Sequence, residues 1–216
     1  LGTGASSDDV THSQGAGAAC GIELQPDGSN GDQVIVLPRL LTGDAETSAW
    51  SATEWGTENQ VQWECAIRTD ESDIDEQTVW AGLKLTNTPT FATNADQAYF
   101  VYGSTDDDVG TLTTNANWHF VVSVGGTDHV TDLGIAVEAA TNYRLGITID
   151  SDRKVSAWVN GVQKGLTSGT TATGQTEDVA TSKSPAMTDN IDLIPYVGIM
   201  IQAGNERDMI LFYEKI

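Results

Sequence analysis

The sequence predicts an all-β chain folded as a two-sheet antiparallel sandwich, and three observations predict it. Residues 142–164, NYRLGITIDSDRKVSAWVNGVQK, carry two alternating runs on either side of a polar turn, with a second turn following at once. About ten to twelve such short runs, punctuated by Gly, Asn, Asp and Ser, recur along the chain. No stretch sustains an apolar period of 3.6, so helix content should be small.

In chain order, residues 1–17, LGTGASSDDVTHSQGAG, offer almost nothing to bury and read as a flexible N-terminal arm. A single sandwich domain is expected over residues 18–216, with strands at 18–24 and 33–38. The aromatic patch WSATEW, residues 50–55, precedes a long strand at 60–69 whose Val61, Trp63, Cys65 and Ile67 share one face, the core face. Further strands are expected at 78–85, 98–102, 118–124 and, more weakly patterned, 129–133. In the hairpin, Tyr143, Leu145, Ile147 and Ile149 face one way and Val155, Ala157 and Val159 do likewise across Asp150-Ser151-Asp152. Asn160-Gly161 supplies the φ > 0 pair of a type I′ turn, so 162–164 can return as a short third strand. Residues 166–185, rich in Thr, Ser and Gly, read as a long surface loop. The strands at 193–202 and 207–216 are then expected to pair as a final hairpin.

Charge narrows the partners. Ten Lys and Arg stand against 31 Asp and Glu, a formal charge of −21, which repels nucleic-acid phosphates and anionic lipid surfaces alike. No apolar run approaches the roughly 20 residues that span a bilayer. Leu1 in place of a starting Met suggests trimming or a partial chain and leaves a removed signal or prosegment open. Cys20 and Cys65 match no zinc or redox spacing, and they read either as two buried thiols or as one bridge.

The strand, turn, strand, Asn-Gly, strand pattern resembles concanavalin A-like (laminin-G-like) jelly-roll domains. The order of TVWAGLKLTN, AYFVY, WHFVVSVGGT and LIPYVGIMIQAGNERDMILFYEKI over roughly residues 55–216 is similar to jelly rolls of tailed-bacteriophage structural proteins. The resemblance implies a jelly-roll sandwich and a non-enzymatic virion protein, a capsid decoration (cement) or fibre-associated domain. It would bind capsid or other virion proteins as a homo-oligomer on the outer surface of the particle, with a host-surface glycan as a further partner and no cofactor. The alternative is a secreted carbohydrate-binding module or a laminarinase-like glycoside hydrolase.

Glu71-Ser72-Asp73-Ile74-Asp75-Glu76 fits the E-x-D-x-x-E spacing of laminarinase-like hydrolases. That resemblance implies Glu71 as nucleophile, Asp73 as a tuning carboxylate and Glu76 as acid/base, a pair that retaining hydrolysis needs about 5–5.5 Å apart. The residues around it read instead as an acidic connection between two strands, so no catalytic residue is expected there. His12, His119 and His129 have no G-x-S-x-G partner. Asp106-Asp107-Asp108 and Asp150/Asp152 could offer oxygen ligands to Ca²⁺, but they lack the spacing of a calcium loop and read as turn chemistry, so no metal is expected. Sugar stacking would need exposed aromatic faces, for which Trp80, Trp118 and Trp158 are the candidates, core packing being the commoner fate.

Overall fold

The computed structural model describes residues 10–13, 21–37, 55–85, 94–103, 112, 116–167, 182–202 and 205–216. Its strands are β1 Val10–Ser13, β2 Gly21–Leu24, β3 Gln33–Val36, β4 Gln62–Thr69, β5 Gln77–Lys84, β6 Gln97–Gly103, β7 Asn117–Val124, β8 Thr127–Ala136, β9 Asn142–Ile149, β10 Val155–Val159, β11 Val162–Lys164, β12 Ile194–Ile201 and β13 Met209–Lys215. The helical content among the described residues is a single 3₁₀ turn at Thr57–Asn59. Two antiparallel sheets result, one in the order β1-β2-β13-β4-β9-β10-β11 and the other β3-β12-β5-β6-β7-β8. This is the all-β two-sheet sandwich expected from the alternation, in the jelly-roll form that the resemblance implies.

The core lies between the sheets and follows from period two. Trp63, Cys65 and Ile67 of β4 and Tyr143, Leu145, Ile147 and Ile149 of β9 point inward to meet Val79, Ala81 and Leu83 of β5 and Trp118, Phe120 and Val122 of β7. Aromatic edges interlock within and across the layers, Phe100 on Phe120 at 4.7 Å between centroids and Trp118 on Tyr143 at 5.5 Å. The six-stranded sheet is buried on its outer face as well, where Ile35, Trp80, Tyr99, Val101, Val121, Tyr196 and Met200 form a second apolar cluster with Leu37 and Leu112. Lys84 is buried there too, its Nζ 5.2 Å from the centre of the Tyr196 ring, and burial lowers its pKa to about 8.

Three differences from the sequence reading have physical reasons. The strands at 194–201 and 209–215 do not pair with each other: β12 lies between β3 and β5 of one sheet, and β13 between β2 and β4 of the other. Every residue of β12 is buried, as in a central strand covered on both sides, whereas β13 becomes polar and exposed in its second half. Part of the expected arm is a strand, β1, paired antiparallel with β2 from Val10 opposite Leu24 to Ser13 opposite Gly21. The arm's other residues and Cys20 lie outside the described residues. Finally, β8 runs three residues past the expected end at Leu133, across a bulge opposite Asn117 and His119.

The turn that closes β10 onto β11 has Asn160 at φ 51° and Gly161 at φ 80°, the mirror-image geometry its sequence predicts. Asn160 Oδ1 also accepts the Arg144 N–H at 2.9 Å, while the Asn160 N–H donates to the Arg144 carbonyl at 2.7 Å, which locks this turn to β9. A Cβ at 161 would meet nothing within 4 Å, so the demand for glycine is purely conformational. Gly161→Val should therefore cost about 1–2 kcal/mol and lower Tm by about 2–8 °C, with Gly161→Asn closer to wild type. Thermal unfolding followed by circular dichroism checks this, and an unchanged Tm in the valine variant would contradict the turn's role.

Candidate functional site

The pleat that buries one side of β4, β9 and β10 presents their other side to solvent, on the outer face of the seven-stranded sheet. Pairing sets Lys215 opposite Glu64, Glu64 opposite Gly146, Gly146 opposite Trp158 and Trp158 opposite Gln163, a row crossing five strands. Gln62 and Thr148 pair in the next row, and Tyr213, Ala66 and Arg144 on the other side. These residues surround an open depression of about 480 Å³ lined by Gln62, Glu64, Arg144, Gly146, Thr148 and Trp158, with Lys215 at its rim.

Trp158 is half-buried, and its Nε1 donates to Thr148 Oγ1 at 3.4 Å, which turns the indole across β9. Gly146 gives it room: a Cβ there would come within 3.4 Å of the Trp158 Cβ and fill the furrow between Trp158 and Glu64. Glu64 organises the polar side. Its Oε1 accepts the Tyr213 hydroxyl at 2.5 Å and lies 3.0 Å from Lys215 Nζ, and its Oε2 accepts Arg144 Nε–H at 2.8 Å. Burial pushes the Glu64 carboxyl up, but bonds from Tyr213, Lys215 and Arg144 outweigh it and hold the pKa below the ordinary range. Burial and the bond to Glu64 raise the Tyr213 hydroxyl to about 12. The platform thus keeps a fixed carboxylate beside two cations and an aromatic ring.

The other aromatic candidates are placed elsewhere. Trp118 is fully buried between the sheets, and Trp80 is fully buried in the outer cluster of the six-stranded sheet, so neither offers a face to a ligand. Glu71, Asp73 and Glu76 lie on the connection that carries the chain from β4 of one sheet to β5 of the other. Each has its own partner: Arg68 Nη1 at 2.8 Å from Glu71, Arg207 Nη2 at 3.1 Å from Asp73, and Asn205 Nδ2 donating to Glu76 at 2.6 Å. The residue that orders this connection is Asp70, whose Oδ1 accepts the N–H groups of Ser72 and Asp73 while Oδ2 accepts the Asp208 N–H.

Asp150 Oδ1 accepts the N–H groups of Asp152 and Lys154, and its Oδ2 pairs with Lys183 Nζ at 2.6 Å, which is turn chemistry. Among the described residues no group of three His, Cys, Asp or Glu could hold a metal ion. Asp106-Asp107-Asp108 lie outside them. His119 is fully buried, with Nδ1 3.0 Å from the Asn117 carbonyl.

A second carboxylate adjoins the platform from below. Glu214, opposite Cys65, faces the interior and accepts the Trp63 Nε1–H at 2.9 Å; burial raises its pKa to about 7, with the Trp63 bond opposing. Glu64 and Glu214 therefore have pKa values driven apart, as an acid and its conjugate partner would need, yet they lie on opposite faces of one sheet and cannot flank one scissile bond.

No protein-family model matches the chain, and no curated protein matches it either. Solved structures do. An alginate lyase from Corynebacterium sp. superposes with a TM-score of 0.53 at 9% identity over 98% of this chain and 81% of that one. An alginate lyase from Pseudomonas aeruginosa gives 0.52 at 10% identity over 99% and 87%, and the Bacillus licheniformis β-glucanase 0.51 at 10% over 96% and 81%. The likeness shows a shared fold, the concanavalin A-like jelly roll. It also corrects the expectation that this chain is not an enzyme, which the resemblance to phage structural proteins and the acidic strand connection had implied, because lyases and a glucanase share the fold. The same likeness gives no support specific to a virion. Among the described residues no helix is long and apolar enough to cross a membrane.

Glu214 yields a pH prediction. Its folded pKa of about 7 exceeds the ordinary 4.5, so the fold favours the protonated form; its contribution is complete below about pH 4.5 and is lost as pH rises toward 7. Glu214→Gln keeps an acceptor for Trp63 without the charge. It should match wild type near pH 4.5 and exceed it by on the order of 1–3 kcal/mol at pH 8. Urea denaturation at both pH values measures this, and a variant less stable than wild type at pH 8 would refute the assignment.

Proposed function

We propose that the chain is a polysaccharide-binding jelly-roll domain that holds glycan on the outer face of its seven-stranded sheet, with Trp158 as the stacking surface. The observation that carries this reading is the half-buried indole of Trp158 in an open depression where apolar surface, Ile216 included, lies beside the polar groups of Gln62, Glu64, Arg144 and Thr148. A pyranose ring has an apolar C–H face and an equatorial fringe of hydroxyls. An indole beside Gln62, Glu64, Arg144 and Thr148 meets the first by contact and the second with donors and acceptors. Gly146 keeps a side chain out of the furrow between Trp158 and Glu64, which leaves room for a ring against the indole.

The fold shared with alginate lyases and a β-glucanase supports the class of ligand without specifying the polymer. For location we propose the outside of the cell, as a secreted domain or on a virion surface. The virion placement, its protein partners and homo-oligomerisation rest on the sequence resemblance, and no feature of the platform favours them over the glycan reading.

Affinity electrophoresis and calorimetry on a panel of soluble polysaccharides test the proposal. Wild type should bind at least one of them, and Trp158→Ala should weaken that binding at least tenfold, about 1.4 kcal/mol, in a variant that circular dichroism shows to be folded at the assay temperature. A variant that binds as tightly as wild type would remove the site from the protein's function.

A further inference from the structure

We propose that this platform selects uncharged polysaccharide and turns away polyuronates and sulfated glycans, with Glu64 as the residue that sets the choice. The inference rests on the glycan reading above and deepens it. Taken alone, Arg144 and Lys215 beside an open indole would invite an acidic sugar, since their side chains are 58% and 65% exposed. Both are already committed. Glu64, only 17% exposed, takes Arg144 on one oxygen and Lys215 on the other, with Tyr213 as a third donor.

A sugar carboxylate or sulfate could recruit these cations only by displacing Glu64, which would lose both of the charged donors that hold it. A single exposed ion pair to the incoming anion returns little against that loss. The incoming anion must also approach a chain of net charge −21, whose repulsion reaches across the roughly 8 Å Debye length of physiological salt. Hydroxyl groups face neither obstacle. The pair at Arg144 Nε uses one of the five guanidinium N–H donors. Gln62, Thr148 and the Glu64 carboxylate add side chains that can donate to or accept from neutral hydroxyls in the same depression.

The experiment measures binding, at 150 mM salt, of a linear polyuronate, the same polymer after carboxyl reduction to neutral sugar, and a neutral β-glucan. Wild type should bind one or both neutral polymers at least tenfold more tightly than the polyuronate. Glu64→Gln releases both cations while its amide oxygen still accepts from Tyr213, so it should narrow that ratio by at least tenfold. A wild type that prefers the polyuronate over its reduced form overturns the proposal without any variant and leaves the glycan reading standing, as does a folded Glu64→Gln protein whose ratio has not moved. Failure to bind any of the three polymers, or any other polysaccharide of the wider panel, overturns the glycan reading itself.

Discussion

The pleat of β4 and β9 ties the interior of this protein to its outer surface. Trp63, Cys65 and Ile67 alternate with Gln62, Glu64, Ala66 and Arg68, and Tyr143, Leu145 and Ile147 alternate with Arg144, Gly146 and Thr148. Burying the first set leaves the second no choice of direction. A slip of one residue between these strands would expose the core and drive Glu64 and Arg144 into it. The cross-strand row from Lys215 to Gln163 is therefore held in place by core packing on the far side of the same strands.

This coupling explains why the platform can tolerate so many unlike groups. A carboxylate, two cations, a phenol and an indole sit side by side because none has to supply the sheet's stability. Their mutual bonds fix geometry: Tyr213, Lys215 and Arg144 hold Glu64, Asn160 clamps its turn to the Arg144 backbone, and Thr148 turns Trp158. The six-stranded sheet makes the opposite use of its outer face, closing Trp80, Tyr99 and Tyr196 into a second apolar cluster.

Much of the fold was legible in the sequence because it depends on local alternation and turn chemistry. The hairpin of β9 and β10 and the Asn160-Gly161 turn could be read residue by residue, and so could the inward face of β4. Which strands pair across long separations could not be read that way. β12 and β13 look like a hairpin because a short polar segment separates them, yet each finds its partners elsewhere, β12 beside β5 and β13 beside β4. The site was half-visible. Trp158 stood among the aromatic candidates, but parity alone could not separate it from Trp80 and Trp118, since strands apolar on both faces hide which side is covered. Glu64, Tyr213 and Lys215 are not legible as a group in the sequence because their meeting depends on the distant pairing of β4 with β13. Gly146 was the available signal: a glycine in the middle of an otherwise well-patterned strand marks a place where something must approach the backbone.

The positions of β12 and β13 also govern how the protein can come to be folded. Each is interior to its sheet, β12 between β3 and β5 and β13 between β2 and β4. Before β12 and β13 have been synthesised, β3 has no sheet partner, and β2, β4 and β5 each keep an open hydrogen-bonding edge. Loop-closure entropy must then be met over most of the chain length before the long-range pairs form, which makes folding slow and late rather than progressive. In that interval the dense negative charge of the nascent chain has a use unrelated to any ligand: it keeps the waiting strand edges of neighbouring molecules apart.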